Sequence, residues 1–99
     1  MTKTPRGAQE ILADQFRLTA ELSALTGEYH RLLQKVAAAG FARQMAEDEP
    51  GAALVEAERA EIAARLVAET CEEKMQDMEK QLSALGQELK ALKRGSSDE

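Results

Sequence analysis

Apolar residues in the first half of the chain recur at Leu18, Leu22, Leu25, Tyr29, Leu32, Val36 and Ala39, in alternating steps of four and three. Ile11 extends the series one heptad earlier. Steps of this kind place one side chain per turn on a single narrow stripe, the seam of a coiled-coil-like helix pair. Upstream, Thr4 can cap the first free amides, and Pro5 suits a first helical position. A helix over about 5–46 is expected, roughly 60 Å long. Gly27 and Gly40 weaken it locally, each by up to about 1 kcal/mol relative to Ala.

The run Glu47-Asp48-Glu49-Pro50-Gly51 interrupts this pattern. Pro50 lacks an amide donor and disfavours a helical residue before it. Asp48 or Glu49 would supply negative charge at the start of the following helix. A short break between long helices implies that the chain reverses and packs antiparallel.

A second seam runs Cys71, Met75, Met78, Leu82, Leu85, Leu89, Leu92, again in steps of four and three. Before it, Ala57, Ala60, Ala64 and Val67 form a thinner stripe, flanked by Ile62 and Leu66. The two stripes do not join in phase, because Val67, Cys71 and Met75 follow in consecutive steps of four. The slip coincides with Thr70-Cys71-Glu72-Glu73, which fits a Thr-x-x-Glu capping box. Together these features predict a helix break near Ala68 to Thr70. The expected fold is all-α: an elongated antiparallel three-helix bundle with coiled-coil-like seams, in one domain over 1–95. Its helices are expected at about 5–46, 50–68 and 70–94, with Gly95 as the last stop signal and 96–99 as a disordered tail.

Composition narrows the function. Charged residues make up 31% of the 99 and aromatics 3%, the balance of long helices rather than of a thick globular core. Eighteen acidic residues against 13 basic leave a net charge of −5. A nucleic-acid partner is therefore not expected, since phosphate binding needs a concentrated basic face. Lys90, Lys93 and Arg94 are explained by the dipole at a helix end. No run of about 18 apolar residues is present to span a membrane. The segment Met1 to Gly7 lacks the apolar core of a secretory signal. Cys71 is the only cysteine, which excludes an internal disulfide and is consistent with a reducing compartment.

No catalytic, cofactor or metal site is expected. His30, the only histidine, has no second ligand at a metal-binding spacing and reads as solvent-facing. Cys71 reads as a small apolar residue opening the second seam rather than as a nucleophile. Pairs such as Glu72-Glu73 read as solvating charge. What remains is surface. Phe16 and Phe41 lie off the first seam, within about 20–50° of each other around the helix. Leu12 shares their flank and Leu33 lies across the seam. A third helix is expected to cover Phe16 and Leu33, while for Phe41, near the turn, cover by a helix and exposure to a partner both stay open. The surface argument nominates Phe16 and Phe41, with the charged faces around Lys35, Arg43 and Lys74, as protein-binding residues.

The layout resembles the tubulin-binding cofactor A family, whose members have three antiparallel helices and about this length. The resemblance covers nearly the whole chain. It rests on Tyr29-His30-Arg31-Leu32-Leu33-Gln34-Lys35 in the middle of the first helix. It rests also on the acidic turn after Met45-Ala46 at Glu47-Asp48, and on the spacing of Lys74-Met75, Met78, Leu82 and Leu85 after a second break. Where the family carries Pro-Asp at that break, this chain has Glu69-Thr70, and the Glu-Ser-x-x-Met run before it is absent. The resemblance implies a cytoplasmic, cytoskeleton-associated folding factor. Such a factor binds quasi-native β-tubulin after chaperonin release, alongside other tubulin-folding cofactors, as a monomer or weak dimer. The alternatives are a structural coiled-coil oligomerisation module and a prefoldin-like helical chaperone with another client.

Overall fold

The computed structural model describes residues 7–49 and 51–97, and the side chains of all of these except Ser96 and Ser97. They form two long helices that pack against each other, α1 (Ala8–Ala46) and α2 (Ala52–Ser97). No strand occurs among the described residues. The Thr4–Pro5 start, Pro50 and the Asp98–Glu99 end of the expected tail lie outside the described residues.

The all-helical expectation holds, but the third helix does not form as a separate element. α2 runs unbroken through Ala68, Glu69 and Thr70. The Thr70 hydroxyl donates to the carbonyl oxygen of Leu66 one turn back, at 3.0 Å. It thus sits within the helix rather than capping a new one. The apparent phase slip also disappears, because the seam passes through Ala68 (5% exposed) and not Val67 (53% exposed). From Leu54 the buried and half-buried positions are Ala57, Glu61, Ala64, Ala68, Cys71, Met75, Met78, Leu82, Leu85, Leu89 and Leu92, with Gly86 half-buried beside Leu85. This is one continuous heptad repeat in steps of three and four. Of the thinner stripe, Ala57 and Ala64 belong to the seam, and Ala60 is exposed. Gly95 does not stop α2, which continues to Ser97.

The reversal between the helices is short. The amide of Glu47 is shared between the carbonyls of Arg43 (3.1 Å) and Gln44 (3.3 Å), and that of Glu49 donates to Ala46 (3.1 Å). Gly51 then takes φ +144°, a conformation that costs little without a Cβ. Its carbonyl accepts the amide of Val55 at 3.2 Å, the first bond of α2. The acidic residues expected to start α2 precede it instead, and its first turn holds none.

The chain divides into two units, Met1–Ala24 with Gln76–Glu99 and Leu25–Met75. In the first, the terminal unit, Ile11, Leu18 and Leu85 form a buried cluster, with Met78, Leu82, Leu89 and Leu92 packed on it. Burying each such aliphatic side chain contributes about 1.5–3 kcal/mol. In the second, the turn unit, contacts pair Leu25 with Cys71, Tyr29 with Glu72 and Arg43 with Glu61. From Leu25 to Arg43 along α1 the partner moves back from Cys71 to Glu61 along α2, so the two helical segments run antiparallel.

Candidate interaction surface

The seam of the turn unit is thin. α1 supplies Leu25, Tyr29, Leu32 and Val36, all half-buried, while α2 answers with Ala57, Ala64, Ala68 and Cys71. Ala68 and Cys71 are its buried members, 5% and 6% exposed. The Cys71 thiol points at the carbonyl oxygen of Leu25, 3.7 Å away, which accounts for its place in the packing.

Near the turn the seam becomes charged. Arg43 and Glu61 occupy facing seam positions, and the Arg43 Nε donates to Glu61 Oε1 at 2.8 Å. The side chains are 28% and 12% exposed, so the pair is screened from much of the solvent. Arg43 also pairs with Glu47, and Arg65 approaches Glu61 Oε2 at 3.4 Å. The hydrogen bond to Glu61, with these neighbouring carboxylates, raises the Arg43 pKa above its ordinary value. Gly40 makes room for this arrangement, since a Cβ there would stand 2.9 Å from Glu61 Oε2. A polar pair at one seam layer disfavours other registers, in which either charge would face apolar side chains. On the same flank Tyr29 Oη donates to Glu72 at 3.1 Å, which raises the tyrosine pKa above its ordinary value of 10.

The sequence-derived binding residues separate on this framework. Phe16 belongs to the terminal unit and is 80% exposed. It and Leu33 are exposed, contrary to the expectation that a third helix covers them, because no third helix is present among the described residues. Phe41 is 64% exposed beside the turn, and Lys35 is exposed on α1. Arg43 is not on an outer face but in the seam. Lys74 lines a groove with Leu25, Glu28, Leu32, Val67, Thr70 and Cys71. Sequence reasoning missed Glu61 as a seam residue and Met45, Val55, Ile62, Leu66 and Val67 as exposed apolar residues. Stepping back from Cys71 by threes and fours through Ala68 and Ala64 reaches Glu61, so the repeat itself held the signal.

The Lys74 groove is about 200 Å³, and a second groove of about 230 Å³ lies in the terminal unit between Asp14, Arg17, Leu18, Gln81, Ala84, Leu85 and Glu88. Both are smaller than the roughly 300 Å³ at which ligand pockets begin. Among the described residues no group of three His, Cys, Asp or Glu side chains could hold a metal ion. Among the described residues no helix is long and apolar enough to cross a membrane.

Comparison with family models, curated proteins and solved structures returned no match.

Proposed function

We propose that the chain is a protein-binding helical module that docks an α-helical segment of a partner through its turn unit. One observation carries this reading. Phe41, Met45, Val55, Ile62, Leu66 and Val67 all remain exposed in the turn unit, around a seam built largely of alanine. Of these, Met45 and Val67 lie on one side of the unit beside exposed alanines such as Ala42, Ala60 and Ala63, and a contiguous apolar patch is what marks an interaction surface. Aromatic and methionine side chains are also the types enriched where partners meet. The repeating helical register favours a helical partner, whose side chains can enter the same holes.

A photo-crosslinking residue at position 67 tests this in the cell of origin, with position 73 as the control. Discrete adducts from position 67 and none from 73 are expected, while silence at both positions would remove the reading.

β-Tubulin as the client is the second reading. It is supported by the Tyr29–Lys35 segment and by the acidic residues Glu47 and Asp48 at the turn. The break at Glu69-Thr70 no longer supports it, because α2 is continuous there. Retention of β-tubulin by the immobilised chain, weakened by Phe41→Ser, is the expected result on this reading. No retention would exclude it.

A further inference from the structure

The terminal unit has an exposed apolar surface of its own, distinct from that of the turn unit. Its stretch of α1, residues 8–24, holds four charged side chains, Glu10, Asp14, Arg17 and Glu21. At about 100° per residue these fall within roughly 60° of one another around the helix. On the other side of the seam, Leu12, Ala13, Phe16, Thr19, Ala20 and Ser23 fill an arc of roughly 120°. All six are exposed and none is charged. Leu12 and Phe16, 50% and 80% exposed, stand one turn apart within it.

α2 flanks these two surfaces differently. Gln81, Ala84 and Glu88 share a groove with Asp14 and Arg17, so that side of α2 adjoins the charged flank. Gly86 lies on the opposite side of α2, half-buried, where a Cβ would stand 4.0 Å from Gln15 Nε2. Lys90 and Lys93 follow Gly86 by four and seven residues and therefore share its side. Ser83 and Glu79 precede it by three and seven. All four are exposed. Lys90 and Lys93 thus stand within roughly 10 Å, along the axis, of the level of Gln15, which lies between Leu12 and Phe16. The helix dipole does not account for them, contrary to the sequence expectation. α2 continues to Ser97, only Arg94 lies in its last turn, and the dipole acts within that turn.

We infer that this flank of the terminal unit docks an amphipathic helix of another protein, apolar along one side and acidic where it passes Lys90 and Lys93. The uncharged arc is as wide as the stripe by which a helix packs on its neighbours. Its steps of four and three offer ridges and grooves to a helical partner, with Phe16 as the large aromatic anchor. Ser83 and Gly86 place no bulky side chain in the way. Charge selects the partner's sign. Lys90 and Lys93 attract acids here, against Glu79 alone, whereas Glu10, Asp14, Glu21 and Glu88 make the other flank acidic around Arg17. A surface of anionic lipid fits less well, because the chain carries a net charge of −5. The site belongs to a different unit from the surface proposed above, and each stands without the other.

A photo-crosslinking residue at position 20 of the full chain, in the cell of origin, tests this, with position 21 on the charged flank as the control. The peptide attached at position 20 is sequenced by mass spectrometry. Its apolar residues should recur in steps of three and four, and its charged residues should be mainly acidic. Synthesised with a fluorescent label, it should bind the full chain by anisotropy, more weakly as salt is added. Phe16→Ala should weaken binding on the order of tenfold or more, as should Lys90→Glu combined with Lys93→Glu, while Glu21→Gln should not. Far-UV circular dichroism should be unchanged in these variants, because all these side chains are exposed. No adduct at position 20, a basic or non-helical peptide, or a peptide of this same chain overturns the proposal. So does an affinity indifferent to these substitutions. Co-sedimentation with phosphatidylserine vesicles that Lys90→Glu and Lys93→Glu abolish would overturn it too, by assigning the flank to a membrane.

Discussion

Gly27, Gly40 and Gly86 lie well inside the helices with different neighbours, and replacing them by alanine isolates the role of Glu61. At Gly27 an added Cβ meets nothing within 4 Å. Gly27→Ala therefore gains only helix propensity, about 1 kcal/mol, worth a rise in Tm of about 4–8 °C in a domain of this size. At Gly86 the nearest atom is Gln15 Nε2 at 4.0 Å, an ordinary contact, so a similar rise follows. At Gly40 the Cβ would stand 2.9 Å from Glu61 Oε2, closer than real Cβ atoms come. The carboxylate must withdraw, which loosens its 2.8 Å bond to Arg43 Nε. Gly40→Ala should consequently recover less than half the Gly27→Ala rise. In a Glu61→Ala background the obstruction is gone, and Gly40→Ala should then give the full rise, a non-additivity expected of residues in contact. Far-UV circular dichroism melts at one fixed protein concentration provide the comparison. Equal rises for Gly27→Ala and Gly40→Ala with Glu61 present would refute the seating of Glu61 over Gly40.

Ile11 is 1% exposed in the terminal cluster, so Ile11→Ala should destabilise by about 2–4 kcal/mol through lost burial and a residual cavity, read by urea unfolding. Leu82→Asp places a carboxylate in the same packing and should abolish cooperative melting, whereas Gln81→Asp on the exposed side should leave it intact. Tyr29, the single tyrosine, should ionise above pH 10 by tyrosinate absorbance and return towards 10 in Glu72→Gln. Because its folded pKa is raised, the stabilisation it gives is complete below about pH 10 and is lost as pH climbs through the raised value. The buried Cys71 thiol should react with a thiol reagent only slowly in the native protein and rapidly in urea.

The two apolar seams were legible because burial along a helix follows a fixed angular step. All seven residues from Leu18 to Ala39 and all seven from Cys71 to Leu92 are buried or half-buried. The turn between them was legible from Pro50 and its acidic neighbours, and Gly51 supplies the conformation that lets α2 begin. The continuity of α2 was not. A hydrophobic count prefers Val67 to Ala68 and rejects Glu61, and that choice manufactured a phase slip and a third helix. Thr70-x-x-Glu73 is equally compatible with a cap and with a helix interior, and the sequence carries no term that separates them.

By itself, then, the sequence determined that the chain is helical, that it reverses near Pro50, and which residues of each strong seam turn inward, because these depend on local backbone chemistry and helical periodicity. Only the tertiary structure decided that Glu61 belongs in the seam. A charge is tolerated there because Arg43 from the other helix meets it and Gly40 leaves space for it, conditions set by residues distant in the chain. The same pairing decided which side chains stay outside. With two helices rather than three, Phe16, Phe41, Met45 and Val67 have no cover within the described residues.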